Sequence, residues 1–586
     1  MKKLITAALL LILGLFLIKT RAPWNYEITV NGHNAPMTIK VTMVNGKFKS
    51  IEVPRESETI GVGKKALEIL TKRIVEEQSL AVDAVSGATV TSYALLGGVE
   101  AALQNSKVST DRFKAKKEAA PAEQEQLTAD VIVVGGGGTG LAAAISAEQN
   151  GADVLVLERL DFLGGSTNVS EGALNAVDPG RQIPQCIEDS VEKFIDQTYH
   201  GGHETGEMDL ITYMCSHAME SVEWMESIGV EFKDTVGTAT GALFPRSHYP
   251  VTPSGNSYVR VFEEYAAGHD KITVRTGTEV TSLILTDGKI TGVRAVGKDG
   301  HPITASAGSV ILATGGFGAN KEMLKEYNTG VWSHVDLTGL GCTNLLRCAD
   351  GSGIRLASEA GADLTGMSDI QVHPCGTPGT GLMENIRTSG RNRIFVNQSG
   401  SRFVNEGAAR DVLSQAIFDQ EGQTYWIVVN SVRYPSRDWI DQNGSSIADM
   451  AAQGSVIEAS TLDALAEKTG MNAENLKAAV EGYNAVVRGE KEDPFGFRAD
   501  DQADRELTEG PWYACRKVPT VHHTMGGLRI SVNAEVLDKD GKPIPGLYAA
   551  GEVTGGIHGS NRLGGNAIAD CMTFGRKAGA SAAENR

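Results

Sequence analysis

Near the start of the chain, Tyr26 to Val30 and Met37 to Val53 alternate apolar and polar residues with a period of two. That is the pattern of half-buried strands, and Asn45 followed by Gly46 inside the second stretch predicts a tight hairpin turn. A helical pattern covers Lys64 to Glu77, and the small-residue string Asp83 to Thr89 (DAVSGAT) precedes an apolar helix, Tyr93 to Leu103. Farther on, Asp130 to Val134 is a short β-branched apolar run, as a strand buried on both faces of a parallel sheet should be. It leads into Gly135 to Gly140, an Ala-rich helix from Leu141, and a second strand from Ala152 that ends at Glu158. A later strand beginning at Ser309 ends in the pair Gly315 and Gly316, and Gly546 to Gly579 reads as strand, glycine-rich crossing and helix.

Two segments fall outside this pattern. Lys2 and Lys3 precede an apolar run, Leu4 to Ile18, which Lys19 and Arg21 follow. The run is short for a spanning helix and right for an export signal. It predicts a signal peptide or anchor over 1–22, with the bulk of the chain outside the cytoplasm, secreted or membrane-anchored. Residues 108–127 are polar, rich in Ala, Glu and Lys, and read as a solvated linker.

Composition narrows the class. The 586 residues include 68 glycines, well above the usual share of roughly 7%. The formal net charge of −18 argues against a nucleic-acid partner, which needs a basic face. None of the seven cysteines forms a C-x-x-C pair, so haem and zinc-ribbon motifs are missing and no metal site is expected.

The glycines at 135, 137 and 140 have G-x-G-x-x-G spacing, and Glu158 follows the last of them by 18 residues. Strand, glycine turn, helix, strand and terminal acid together form a dinucleotide-binding unit. FAD is favoured over NAD because further glycine clusters converge on the same unit. Gly165, Ser166 and Thr167 lie just past Glu158, Gly315 ends a later strand, and Glu552 ends the C-terminal one. The last helix begins near Gly565, Ala567 and Ile568, where its N-terminus can face the flavin. In the first module, Thr89 is either an ordinary helix cap or a hydroxyl where backbone N–H groups crowd an anion ahead of a helix N-terminus.

The string D-x-x-S-G-A-T resembles the flavinylation signature of FMN-binding domains, in which the final Thr carries FMN through a phosphoester. That resemblance makes Thr89 the covalent FMN site and a flavin transferase a partner. From residue 128 onward the chain resembles the flavoprotein fumarate reductase and urocanate reductase family, relatives of the succinate dehydrogenase flavoprotein. The likeness rests on HHTMGGLRI (522–530), AAGEVTGG, HGSNRLGGNA, QVHP (371–374), SRFVNEGAARD (401–411) and RSH (246–248). It implies an α/β fold: a Rossmann-like FAD-binding domain, 128–367 and 522–586, with an inserted α+β cap, 368–521. A small α+β FMN-binding domain, 23–107, would stand in front.

By the same resemblance the chain reduces the C=C bond of an α,β-unsaturated carboxylate. Electrons pass from a membrane donor, a quinol or dehydrogenase system, to FMN and then to FAD. Arg410 is the proton donor, recharged through Glu384 and Arg387. His373, His522 and Arg562 hold the carboxylate, and His523 contacts the flavin. Read without the family, Arg410 would form a salt bridge with Glu406 or Asp411. One residue departs from the pattern: Met383 stands where a small hydroxyl residue is usual, and it cannot donate a hydrogen bond. That opens the pocket to a longer acid, urocanate or an arylacrylate. Two rivals remain: an oxidase or dehydrogenase on the same scaffold, and an electron carrier without a substrate of its own.

Overall fold

The computed structural model describes residues 24–115, 124–345, 347–441, 446–501 and 503–586. The apolar run Leu4 to Ile18 lies outside them, as does the middle of the expected linker. Among the described residues no helix is long and apolar enough to cross a membrane. The chain divides into two compact units, residues 1–119 and 120–586.

In the first unit the strands Trp24–Asn31, Pro36–Val44 and Lys47–Arg55 form an antiparallel sheet in sequence order. Met37, Ile39, Val41 and Met43 alternate inward and are buried, the result of the two-residue period along a strand. Asn45 and Gly46 both take positive φ, 53° and 76°, as the two central residues of a type I′ hairpin turn must. The helices Gly63–Glu77 and Thr89–Asn105 complete the unit. Gly98 lets the second helix lie close on the sheet: a Cβ there would stand 2.3 Å from Ile39 Cδ1.

The linker is shorter than 108–127. Residues Asp111–Lys114 form a helical turn, and buried Phe113 packs on Phe48 with ring centroids 4.7 Å apart. Its carbonyl accepts from the Leu80 and Ala81 amides. At the other end, Glu125–Thr128 is a strand paired with Pro302–Ser306. The apolar side chain of Phe113 is what draws that end of the polar stretch into the first unit.

The second unit is built on a six-stranded sheet in the order 535–537, 543–549, 309–312, 131–134, 154–157 and 272–275. All neighbours are parallel except the first pair. The helices Gly138–Gln149 and Asn566–Glu584 pack together closely, because Gly579 presents no side chain: a Cβ there would lie 2.2 Å from the Ala143 carbonyl oxygen. This is the doubly wound α/β arrangement, in which ligands bind beyond the carboxyl ends of the strands. A second sheet holds Ile370–Gly376, Trp512–Thr524, Tyr425–Asn430 and Ile394–Val396. Its longest strand, Trp512–Thr524, runs without a break across position 521, the boundary expected from the sequence.

Gly98→Val forces a branched side chain into the contact with Ile39. It should lower the first unit's stability by about 1–3 kcal/mol, measured as a lowered denaturation midpoint of that unit.

Candidate active site

The glycine turn opens onto a cavity that Gly135, Gly137, Gly138 and Glu158 line. Gly135 has φ +103°, and a Cβ on it would stand 2.4 Å from the Ala313 carbonyl oxygen. Gly140 has a different task. Its Cβ would lie 1.8 Å from the Gly135 carbonyl oxygen, so it tightens the turn and does not line the cavity. A Cβ on Gly137 would approach nothing closer than the Gly164 carbonyl, at 4.0 Å, so Gly137 leaves its face open to the cavity. Glu158 accepts from the Gly136 amide at 2.7 Å and from the Leu160 amide at 2.7 Å, which fixes its carboxylate at the strand end. Burial pushes that carboxyl above its ordinary range, and these amide donors oppose the shift.

The other expected groups arrive from distant parts of the chain. Gly165, Ser166, Thr167, Gly315 and Glu552 line the same cavity. Gly565, Ala567 and Ile568 stand off its wall, at the start of the helix Asn566–Glu584, whose first turn has no side-chain cap. Gly565 is forced: φ is +87°, and a Cβ would meet Asn175 Oδ1 at 2.2 Å. Arg159, Arg347, Thr278 and Cys348 also line the cavity, and no motif pointed to them. A cavity with an open glycine face, a fixed carboxylate and a nearby helix N-terminus fits a dinucleotide.

In the first unit, Ala88 caps the helix and contributes no side-chain hydrogen bond; Thr89 is the first helical residue and is exposed. The helix-cap reading of Thr89 therefore fails. Its neighbours are tied down instead. Ser92 Oγ accepts from the Val85 amide at 3.1 Å and donates to the Ala88 carbonyl at 2.8 Å, and Thr91 donates to Glu58. Gly87, with φ +89°, turns the chain into the helix. A pinned loop ending in an exposed hydroxyl at a helix start fits a flavin phosphoester.

A second constellation is built around Gln371, on the buried strand Ile370–Gly376. Its Oε1 accepts from Arg410 Nη1 at 2.9 Å and from Arg562 Nη2 at 3.2 Å. Its Nε2 donates to Asn561 Oδ1 and to the Arg562 carbonyl, which fixes the orientation of the amide. Both guanidinium groups are buried, and the Nε of each has no hydrogen-bond partner. The salt bridge considered for Arg410 does not form. Glu406 binds Arg402 at 2.7 Å, and Asp411 lies 3.4 Å from His203 Nε2. Among the described residues no carboxylate lies within 4 Å of Arg410, Arg562, Arg387 or Lys517.

His373 is two residues from Gln371 and therefore on the same face of the strand. Its Nδ1 accepts from the Cys375 amide at 3.1 Å, and its Nε2 is buried without a partner. Its ring meets that of His522 at 4.7 Å between centroids, and His522 Nδ1 is paired with Thr343 Oγ1 at 2.7 Å. Arg387 Nε and Nη1 are buried and unpartnered. The Glu384 carbonyl accepts from Lys517, a lysine with no exposed surface. His523 does not line the cavity; its Nδ1 lies 3.6 Å from Glu552 Oε1.

Burial dominates the electrostatics. It drives Arg410 well below the ordinary arginine range, and the charge of Arg562 adds to the shift. Arg410 also opens the helix Arg410–Phe418, where the helix dipole disfavours a cation. Arg562 falls to about 10 for the same reason, burial. His373 and His522 are pushed well below 6.5, by burial first and then by the surrounding positive charges. With its Nδ1 accepting, neutral His373 carries its proton on Nε2 and is a hydrogen-bond donor. Glu552 rises to about 7 and His523 falls, both through burial. At neutral pH these two are therefore not a charged pair, despite their proximity. Sequence reasoning missed Gln371, Lys517 and Thr343 as members of this group.

Comparison with known proteins gives a consistent picture. Residues 130–568 match the model of the FAD binding domain, and residues 32–104 match that of the FMN-binding domain. The chain is 35% identical to the NADH:acrylate oxidoreductase of Vibrio harveyi, over 95% of this chain and 61% of that protein. It therefore spans less than two thirds of that relative's own length. It is 34% identical to the urocanate reductase of Eggerthella lenta, over 95% of this chain and 91% of that one. The open conformation of a flavocytochrome c3 fumarate reductase superposes with a TM-score of 0.65, at 34% identity over 78% of each chain.

Gly135→Ala places a Cβ against the Ala313 carbonyl in a backbone conformation that alanine resists. The purified variant should retain less than a tenth of the wild-type FAD content, read from its absorbance after gel filtration.

Proposed function

The chain belongs to the FAD binding domain family, with an FMN-binding domain ahead of the FAD-binding body, and on that premise we propose that it reduces the C=C bond of an α,β-unsaturated carboxylate of the fumarate type. The observation that carries this reading is a set of cations, three of them buried and Arg387 half-buried, without a carboxylate within 4 Å among the described residues. Arg410 and Arg562 share one amide oxygen, and Arg387 and Lys517 join them in depressing His373. Leaving such charges unpaired costs several kcal/mol each. An anion from outside the chain removes that cost, and a dicarboxylate matches several cations better than a monocarboxylate does.

When bound, FAD supplies the hydride, and FMN carried on Thr89 supplies the electrons that renew it. The remaining work belongs to the chain's own residues. Arg562, His373 Nε2 and His522 hold and polarise the carboxylate, where negative charge develops as the double bond is reduced. Arg suits planar two-point clamping of a carboxylate. Arg410 gives a proton to the α-carbon. An arginine is ordinarily too weak an acid for this, and its burial beside Arg562 at a helix start makes it stronger. Glu384 and Arg387 return the proton to Arg410 along the loop that Lys517 anchors. Met383, half-buried beside Glu384, favours a second reading, a longer or partly apolar acid such as urocanate or an arylacrylate. In either case electrons come from a membrane donor, a flavin transferase attaches FMN, and the basic, apolar N-terminus directs export.

Reduced-viologen oxidation across fumarate, urocanate, cinnamate, itaconate and crotonate tests the reading. Fumarate should turn over fastest, and the absence of turnover with every acid would leave an electron carrier. Arg410→Ala should cut turnover by roughly 10²–10⁴-fold, the usual worth of a general acid, with both flavins still bound; full activity would remove Arg410 from the mechanism. Thr89→Ala should eliminate covalently bound FMN from the intact mass of the chain, and an unchanged mass would refute that attachment site.

A further inference from the structure

A buried polar pair that the mechanism does not use stands beside the cofactor cavity. His558 and Asp570 are 4% and 1% exposed, and His558 Nε2 lies 3.2 Å from Asp570 Oδ2. An ionised carboxylate can only accept, so the imidazole N–H must be on Nε2. His558 Nδ1 and Asp570 Oδ1 are both buried without a partner. Asp570 sits early in the helix Asn566–Glu584, directly before Cys571, which lines the cavity together with Glu552. The His558 ring meets the His523 ring edge-on at 5.5 Å, and His523 Nδ1 lies 3.6 Å from Glu552 Oε1. Three buried titratable groups and the half-buried Glu552 thus run from the helix to the cavity wall.

We infer that the Asp570 carboxylate, hydrogen-bonded to His558, is a fixed negative charge that sets the reduction potential of the FAD in the neighbouring cavity, an inference that rests on the FAD assignment. A buried carboxylate keeps its charge only when it is hydrogen-bonded, and His558 supplies that bond. In a poorly screened interior such a charge opposes the arrival of electrons nearby. Its influence reaches the cavity wall. Burial raises Glu552 to about 7 and Cys571 to about 12, and Asp570 pushes both in the same direction. Arg562 is the cation on the other side, and Asp570 favours its charged form. His558 and Asp570 are therefore positioning residues: they act on the cofactor through charge and make no contact with substrate.

The test is a reductive titration of the holoenzyme against a redox dye, in a Thr89→Ala background so that FAD is the only flavin observed. Asp570→Asn should favour reduced FAD at least tenfold, about 30 mV for a two-electron couple. His558→Gln keeps a donor to Asp570 and should stay near the parent potential. His558→Leu removes the donor that holds the carboxylate and should shift the potential in the direction that Asp570→Asn does. A parent-like or lowered potential in Asp570→Asn overturns the inference. If that variant does not fold, equal potentials in His558→Leu and His558→Gln overturn it instead. A parent protein that purifies without FAD would instead sink the cofactor assignment, and this is visible before any titration begins.

Discussion

Two guanidinium groups sharing one amide oxygen is the constraint around which the site is arranged. Arg410 and Arg562 come from a helix start and from a C-terminal loop, and they meet at Gln371 Oε1. Like charges converge in a buried place only if the surrounding fold holds them there. The strand Ile370–Gly376 fixes Gln371 from behind. Asn561 and the Arg562 carbonyl fix the other end of its amide. Glu406, the natural partner for Arg410 by sequence distance, is taken by Arg402. The protein thus assigns its nearby carboxylate elsewhere and leaves Arg410 with a neutral partner.

The cofactor framework depends on the opposite device, the removal of side chains. Gly135, Gly140 and Gly579 are each hemmed in by a backbone carbonyl, so at these points main chain packs against main chain. The glycine excess in the composition therefore serves two ends. Some glycines bring helix and strand together, and a few, such as Gly137, leave a face open to the cavity.

Much of this was legible in the sequence because it is carried by local patterns. The dinucleotide unit follows from the apolar run Asp130 to Val134, the spacing at Gly135, Gly137 and Gly140, and Glu158. The hairpin at Asn45 and Gly46 follows from turn chemistry. Gln371 was legible in principle, since two-residue periodicity puts it on the same face of the strand as His373. Lys517 left no such signal, because the strand Trp512–Thr524 also carries Arg516 and further polar residues, and only the fold shows which cation is buried. Thr343 and Arg159 left none, because their places depend on long-range packing. The linker was read too long because polar composition hid one anchoring side chain, Phe113. The separate tasks of Gly137 and Gly140 needed coordinates, because spacing alone does not tell packing from opening.

Desolvation gives the site its chemical direction. The same burial lowers Arg410, keeps His373 neutral and raises Glu552. For the two bases it makes a proton easier to lose, and for the carboxyl it makes one harder to lose. A carboxylate ligand bound against Arg410 would reverse part of this, because an opposite charge stabilises the guanidinium. On the proposed reading the acid must stay strong while substrate is bound, so the carboxylate belongs on Arg562 and the two histidines. Gln371 reconciles these demands. Its amide oxygen gives Arg410 a neutral partner in place of an anion, satisfying one of its N–H groups without supplying the charge that would weaken it as an acid. A glutamate at this position would hold the guanidinium more firmly and restore its ordinary reluctance to give up a proton.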